Sequence, residues 1–123
     1  MPFSVDFLPA EKLVCVTNAG ILSLSDYQRG AEQAVALMDK QAVWRCLIDN
    51  RELNNQVSVS DIFKLPTFFT HIGLPRTVRA AILISDATPK REDHEFFETV
   101  CVNKGYGFRL FTNRDEAPAW LTS

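Results

Sequence analysis

Short apolar runs alternate with longer amphipathic segments along most of this chain of 123 residues. The runs at 43–48 and 78–84 are almost continuously apolar, which is typical of strands buried on both faces of a sheet. Between them, apolar residues recur at the spacing of a helix with one buried face. Because strands alternate with helices, the chain is predicted to fold as an α/β domain with a mostly parallel sheet and right-handed crossovers.

The two ends of the chain complete a predicted five-stranded sheet. Residues 3–8 alternate in polarity with a period of two, which predicts a half-buried antiparallel strand at the edge of the sheet. Pro9 ends this strand, residues 12–17 form a second and more apolar one, and residues 108–111 form the fifth. The predicted order is ββαβαβαβα, within a single domain that spans residues 1–123.

Capping residues indicate where three of the helices begin. Ser25 is expected to cap the first helix, with Gln28 three residues later completing a capping box. Thr88-Pro89 is expected to open the third helix, because proline is favoured at the first helical position. Asn113 is expected to cap a short last helix.

The second helix contains a proline and an oddly placed phenylalanine. Ser58 or Ser60 is expected to cap it, and Pro66 predicts a kink or a division into two short pieces. At about 100° per residue, one face gathers the following residues: Ile62, Leu65, Phe69 and Ile72, with Phe68 at its margin. Phe63 lies almost opposite, among polar residues.

Two interpretations of this helix remain open. Pro66 could rephase the helix and bury Phe63 normally. Alternatively, the Phe-rich helix covers an apolar cleft and can open to admit an acyl-like ligand, or to touch a membrane or a partner surface. In the second case the candidate binding residues are Phe63, Phe68 and Phe69.

Composition and charge argue against several classes of protein. Hydrophobic residues make up 46% and charged residues 23%, so a folded globular domain is expected rather than a disordered chain. The formal net charge is −2 and the basic residues are scattered, so the basic face needed for nucleic-acid binding is not predicted. With no signal-peptide pattern and no long apolar run, the expected location is the cytoplasm.

The side chains that could take part in catalysis or bind a metal form no recognisable catalytic or metal-binding motif. Three widely spaced cysteines in apolar segments are expected to be buried reduced thiols. His71 and His94 lack the spacing of a metal-binding pair, and Asp93, Glu95 and Glu98 are interpreted as a solvated face of the third helix. Neither a nucleophile motif nor a helix-opening phosphate loop is present. The chain is therefore predicted to be non-enzymatic, with no cofactor and no metal.

Motifs in sequence order resemble those of the SpoIIAA-like proteins, which share the fold of STAS domains and are loosely similar to the lipid-binding CRAL-TRIO fold. The most specific motifs lie near the C-terminus: Phe97-Glu98, Gly105-Tyr106, Phe108-Arg109-Leu110-Phe111, Glu116-Ala117 and Ala119-Trp120-Leu121. Supporting matches are Gly20, Leu47-Ile48-Asp49 and residues 80–84. The resemblance covers nearly the whole chain. It rests mostly on core and capping positions, so it implies a fold more firmly than a function.

The resemblance implies two kinds of function. STAS domains of the anti-sigma-factor antagonist type carry a phosphorylatable serine in an Asp-Ser-Ser-Gly-like motif at the start of the second helix. The equivalent segment here, Val57-Ser58-Val59-Ser60-Asp61, has no glycine, which argues against a kinase-controlled sigma-factor switch. The implied function is a STAS-like regulatory module that acts through a protein partner. The alternative is a carrier or sensor of a small amphipathic, lipid-like ligand, with membrane contact that is at most peripheral.

The carboxyl edge of the sheet supplies the remaining candidate binding residues. In open α/β sheets, ligands bind beyond the carboxyl ends of the strands, at the switch in strand order. The residues expected there are Asp49, Asn50 and Arg51 after the third strand, Ser85 and Asp86 after the fourth, and Ser58 and Ser60 at a nearby helix N-terminus. The alternative is that the serines only cap helices and that Asp49 and Arg51 form a loop ion pair.

These functions predict different structures. A carrier should enclose an apolar cavity of about 300 Å³ or more, whereas a regulatory module should have a filled core and an exposed patch around the second helix. An enzyme should show converging polar groups with perturbed pKa values. An exposed edge strand would also allow the chain to form a homodimer.

Overall fold

Strands and helices alternate along the chain in the predicted order, ββαβαβαβα. The computed structural model describes residues 2–123, and its elements are β1 (Phe3–Leu8), β2 (Leu13–Gly20), α1 (Leu24–Gln41), β3 (Arg45–Leu53), α2 (Val59–His71), β4 (Arg79–Leu83), α3 (Arg91–Asn103), β5 (Gly107–Phe111) and α4 (Ala117–Leu121). A single 3-10 turn at Arg114–Glu116 precedes α4, and Asn113 caps this turn. The predicted element order is therefore confirmed.

The five strands form one sheet whose spatial order, β1-β2-β3-β4-β5, follows the chain. β1 pairs antiparallel with β2, from Phe3 opposite Asn18 to Leu8 opposite Leu13, and all other neighbours are parallel. The predicted antiparallel edge and parallel remainder are confirmed. The order never reverses among residues 2–123. The expected switch in strand order, on which the predicted carboxyl-edge site depends, is therefore wrong.

Three helices cover one face of the sheet, and α4 covers the other. Connections between neighbouring parallel strands are right-handed in nearly all proteins, so successive connections in one direction place their helices on the same side. Ala34 of α1, Leu65 of α2 and Cys101 of α3 accordingly belong to one core cluster. Leu121 of α4 packs in a separate cluster with Leu47 of β3. We call the two sides the three-helix face and the α4 face.

α1 begins two residues earlier than predicted. The hydroxyl of Ser23 accepts a hydrogen bond from the N–H of Asp26, and the Asp26 carboxylate accepts one from the N–H of Ser23. This reciprocal pair satisfies two N–H groups at the helix start. The prediction of Ser25 and Gln28 as the capping box is wrong, because an equally spaced acidic partner makes Ser23 the cap.

α2 runs as one helix through Pro66, so the predicted division into two pieces is wrong. Ser58 is its cap, with a hydroxyl that accepts from the N–H of Asp61. The buried residues of its inner face are Ile62, Leu65, Pro66 and Phe69. Phe63 is 60% exposed. The inner face predicted from ideal helix geometry is confirmed, and the interpretation that Pro66 buries Phe63 is wrong.

α3 begins later than predicted. Its cap is Lys90, which has a left-handed backbone with φ of 57°, and its first helical residue is Arg91. The expectation that Thr88-Pro89 opens the helix is wrong, because the Thr88 side chain is used elsewhere. The Thr88 hydroxyl accepts from the N–H of Ser85 and donates to the backbone carbonyl of Arg51, which ties this loop to β3.

β3 is longer than the predicted run of 43–48 and ends at Leu53. It stays paired with β2 as far as Gly20, which lies opposite Leu53. This pairing supplies hydrogen-bond partners for the backbone of a polar segment. Asp49-Asn50-Arg51 therefore lies inside a strand, and its predicted position beyond the carboxyl end is wrong.

Candidate functional site

An apolar cavity of about 120 Å³ lies between the three-helix face of the sheet and the helices above it. Its apolar lining includes Val16 and Ala80 from the sheet, Ala34 from α1, Leu65 and Phe69 from α2, and Phe97 from α3. α1 also contributes Gly30 and Ala31 to the lining. Because these α1 residues are small, they leave the space between helix and sheet unfilled.

Two buried asparagines form part of the polar end of the cavity. Asn18 of β2 donates through Nδ2 to Oδ1 of Asn50 in β3, at 2.8 Å. A bulge lies beside this pair, because Thr17 faces Asp49 whereas Ala19 faces Glu52, so three steps along β3 match two along β2. A bulge re-aims the side chains around it, and both Asn18 and Asn50 line the cavity.

A second polar group joins three segments around the cavity. The Tyr27 hydroxyl donates to Oδ1 of Asn55 at 3.0 Å, and Nδ2 of Asn55 donates to the Asp93 carboxylate at 2.8 Å. The Asn55 amide also bonds to both backbone groups of Val57. Burial, followed by the charge of Asp93, raises the pKa of Tyr27 to about 12. Asn55 is thus a fully bonded link between α1, the segment before α2, and α3.

His94 lines the same cavity and lacks a comparable link. It is 4% exposed, and its Nε2 is the only buried side-chain nitrogen or oxygen without a hydrogen-bond partner among residues 2–123. Burial lowers the pKa of His94 below its usual 6.5, although the charges of Asp93 and Glu92 act to raise it. The imidazole is therefore neutral at pH 7, and its Nε2 either donates or accepts according to the tautomer.

The structure separates the residues predicted for the carboxyl edge. Asp49 lies two residues after Leu47 and shares its α4 face, where Arg51 donates to both carboxylate oxygens, at 3.0 and 2.9 Å. Burial acts to raise the pKa of Asp49, but the hydrogen bonds from Arg51 outweigh it and lower the pKa. The ion pair predicted as the alternative is present. Asn50, between these two residues in sequence, lines the cavity on the opposite face.

The other polar candidates do not converge on one place. Ser58 caps α2, and Ser60 is exposed in the first turn of that helix. Ser85 is half-buried, and its hydroxyl bonds to that of Thr88 at 3.2 Å. Asp86 is exposed. A binding role for these residues stays a prediction.

The three candidate phenylalanines point to different surroundings. Phe63 is exposed on the outer face of α2, one turn after Val59, which is 54% exposed. Phe69 lines the cavity and stacks on Phe108 with ring centroids 6.0 Å apart. Phe68 is half-buried against the same core. α2 therefore forms a wall of the cavity with one face and presents an apolar surface with the other.

Four residues at the polar end of the cavity were not predicted from the sequence: Asn18, Tyr27, Asn55 and His94. A signal existed for Asn18, because it follows an apolar strand run as Asn50 does, and parallel strand ends lie side by side. Tyr27 matches the apolar period of its helix, so its hydroxyl gave no signal. Asn55 and His94 lie in polar stretches where a buried residue is not distinguishable from a solvated one.

Two of the three acids interpreted as a solvated face of α3 have partners in other segments. Asp93 accepts from Asn55, and Glu98 accepts from the backbone N–H of Leu110 in β5. The interpretation is wrong for these two, because α3 packs against β5 and against the segment before α2. Glu95 forms an exposed ion pair within α3, as expected for a solvated acid.

The cysteines are free thiols, with Cys46 and Cys101 buried and Cys15 half-buried. Burial raises the pKa of all three, to about 12 for Cys46, which reduces the thiolate fraction at neutral pH. In the described part of the chain, no three His, Cys, Asp or Glu side chains lie close enough to hold a metal ion. No helix between residues 2 and 123 has both the length and the apolar character needed to cross a membrane.

Comparison with known proteins bears on the fold. No family model matches the sequence, and no curated protein matches it. A solved structure matches 97% of this chain and 91% of its own chain, with a TM-score of 0.57 and 20% sequence identity. It is an uncharacterized protein of the DUF3478 family from Shewanella loihica PV-4, with a SpoIIAA-like fold. At this identity the likeness concerns the fold alone, and the chain described here has a SpoIIAA-like fold.

Proposed function

We propose that this chain is a non-enzymatic, STAS-like binding module that regulates a protein partner through the outer face of α2. The proposal is carried by two exposed apolar side chains on that face. Val59 is 54% exposed and Phe63 is 60% exposed, and they are neighbours because they lie four residues apart on a helix. We call this pair the α2 patch. Adjacent large apolar side chains in contact with water are typical of interaction surfaces.

Polar residues surround the α2 patch. Ser60, Lys64 and Thr67 are all exposed within one helical turn of it. An apolar centre with a polar rim is the usual anatomy of a protein interface. The expected partner therefore presents an apolar pocket that takes up Phe63, because buried aromatic anchors carry much of the energy of such interfaces.

The chemistry of the cavity side supports binding rather than catalysis. Asn55 uses all the hydrogen bonds of its side-chain amide within the fold. Burial raises the pKa of every thiol, which disfavours cysteine as a nucleophile. Both features suit a module whose polar groups hold its segments in place.

A second candidate function is the carriage or sensing of a small amphipathic ligand, and the cavity is the observation that favours it. The cavity holds about 120 Å³, below the roughly 300 Å³ of a site for a larger ligand. A long acyl chain would enter only if α2 moved outward. In that case the α2 patch would supply the peripheral membrane contact.

Partner capture by three versions of the chain tests the first proposal. Wild type, Phe63→Asp and Val102→Asp are immobilised and exposed to an extract of the host, and the bound proteins are quantified by mass spectrometry. Val102 is the matched control because it is also apolar and 51% exposed, but lies on α3. We expect one protein to be retained by wild type and Val102→Asp and to be lost at least about tenfold by Phe63→Asp.

Folding and alternative occupants are checked on the same variants. Both should keep the melting temperature of the wild type, because both side chains are exposed. Equal capture by all three versions would contradict the proposal. If wild type but not Phe63→Asp co-sediments with anionic vesicles, the patch contacts membranes. If wild type self-associates and Phe63→Asp does not, its partner is a second copy of the chain.

A further inference from the structure

The polar end of the cavity has a property that the proposed function does not need. We infer that the cavity binds a small uncharged molecule with an apolar body about the size of a benzene ring and one hydrogen-bonding group, and that His94 recognises this group. The inference is independent of partner binding at the α2 patch, and it sharpens the second candidate function, on which it rests, by giving the ligand a size, a charge and a recognising residue. The ligand contacts the inner side of α2, whereas the partner contacts its outer side.

The volume of the cavity sets the size of the apolar body. An apolar cavity of roughly 150 Å³ takes up benzene and stays free of water when empty. The cavity here holds about 120 Å³, with Val16, Ala34, Leu65 and Ala80 in its wall. It therefore suits a ring or a short branched chain. Water inside it would find hydrogen-bond partners only at the polar end.

His94 lines the cavity and has an unpartnered Nε2, so we assign to its imidazole the recognition of the ligand's polar group. Buried polar atoms are nearly always hydrogen-bonded in native proteins, and an exception usually marks a bound molecule or a chemical role. Among residues 2–123, Nε2 of His94 is the one such buried side-chain atom. The neighbouring amide of Asn55 is already fully bonded, so it does not compete for the ligand.

The charges around His94 favour an uncharged ligand. Asp93 lines the cavity and Glu92 acts on His94 from the same turn of α3, so an anion would be repelled. A cation would find the Asp93 carboxylate already bonded to the Asn55 side chain. It would also be repelled by the Lys90 ammonium, which donates to the backbone carbonyl of Asn55 at 2.9 Å. An ion of either sign would also lose its hydration against an apolar wall.

Phenol and toluene are matched probes, because they have the same number of heavy atoms and phenol carries a hydroxyl group where toluene carries a methyl group. Each is titrated into the wild-type chain labelled with nitrogen-15 at histidine, and the ring nitrogens are followed by NMR. The chain has only two histidines, and His71 is an internal control because it is exposed at the end of α2, outside the cavity lining. We expect phenol to shift Nε2 of His94 strongly, toluene to shift it little, and neither to shift His71.

Two variants distinguish the hydrogen bond made by His94 from the volume that the cavity offers to a ligand. His94→Phe keeps a ring of similar shape, and should weaken phenol binding about fivefold while toluene binding is unchanged, as expected for one lost hydrogen bond. Ala34→Leu fills the cavity and should abolish the binding of both probes. Phe63→Asp should bind phenol as the wild type does, so the outcome is independent of the α2 patch.

Three results would overturn the inference. The first is that neither probe binds the wild type, which would make the cavity a packing void. The second is that phenol and toluene bind equally well and His94→Phe changes neither affinity. The third is that phenol shifts His71 as much as His94. Because the wild-type spectrum needs no variant, poor folding of Ala34→Leu or His94→Phe would leave the first and third results decisive.

Discussion

The two faces of the sheet are packed in opposite ways. On the α4 face, a helix of only five residues closes an apolar cluster: Leu13, Leu47, Ala81, Leu83, Phe111, Ala117 and Leu121. On the three-helix face, helices of 18, 13 and 13 residues cover the cavity and four buried polar residues: Asn18, Asn50, Asn55 and His94. More covering helix goes with less complete filling, so helix length does not decide how well a core is closed.

Side-chain size explains the difference between the faces. α1 contributes Ala31 and Ala34 to the lining beside larger residues such as Met38, so part of its inner surface brings little volume into the cavity. On the other side Trp120 of α4 packs against Phe111, with ring centroids 5.8 Å apart. Protein interiors are close-packed, so a gap lined by small residues is an exception. The cavity therefore lies in the larger of the two cores, on the three-helix face.

Truncating one leucine on each face should give the largest contrast. Leu47 is 2% exposed within the closed α4 cluster, and Leu47→Ala should lower the free energy of unfolding by about 4 kcal/mol. Leu65 already borders the cavity and has fewer contacts to lose, so Leu65→Ala should lower it by about 2 kcal/mol. Urea denaturation measures both values.

The denaturant slope provides the control for this pair. It should be the same in both variants and in wild type, because neither truncation changes the surface exposed on unfolding by much. Equal costs for the two leucines would break the comparison. They would mean that the cavity wall is packed as tightly as the α4 cluster.

Two consecutive residues of β3 extend the comparison to polar interactions. Asn50 is buried against Asn18, so Asn50→Ala leaves the Asn18 amide without its acceptor and should cost about 2 kcal/mol. Arg51 is exposed and pairs with Asp49, so Arg51→Ala should cost at most about 0.5 kcal/mol. Thermal unfolding of both variants at low and high salt measures these two costs. Salt should erase the difference from wild type only for Arg51→Ala, and a larger cost at Arg51 would contradict the expectation that the buried amide pair stabilises more than the exposed ion pair.

Local signals predicted most of the fold, because each reports which face of an element is buried. The apolar run 78–84 predicted β4, and helical spacing predicted the inner face of α2 despite Pro66. The errors lie where a distant contact decided the outcome. β3 continues to Leu53 because β2 pairs with it, and Thr88 stays outside α3 because its hydroxyl binds a carbonyl of β3.

The candidate site was predictable only in part. Asn50 was predicted together with Asp49 and Arg51 in a loop, but all three lie inside β3, where successive side chains point to opposite faces, so Asn50 is separated from the other two. The extension of β3 that causes this depends on pairing with β2, which the local sequence does not show. Tyr27 and His94 reach the cavity from different helices, so their meeting depends on packing that no single segment encodes.

A dependence on pH gives the smallest contrast and concerns the three-helix face alone. Burial lowers the pKa of His94 below its usual 6.5, while Asp93 and Glu92 of α3 act against the shift. In the unfolded chain the imidazole titrates near 6.5, so below this pH the unfolded state binds a proton that the folded state does not. The free energy of unfolding should therefore fall as the pH falls below 6.5, by at most about 1.4 kcal/mol per pH unit from this residue.

Denaturation of wild type and His94→Phe between about pH 7.5 and pH 5.5 isolates this effect, because the carboxylates elsewhere titrate in both chains. Tyr27 lines the same cavity from α1, but its pKa of about 12 keeps it protonated throughout this range. We expect wild type to lose more stability than His94→Phe as the pH falls. If the two chains lose stability in parallel, His94 is solvated in the folded state. The two faces would then differ only in that one of them contains a cavity. The inferred recognition of a ligand by His94 would lose its physical basis, because His94 would not be a buried, unpartnered polar group.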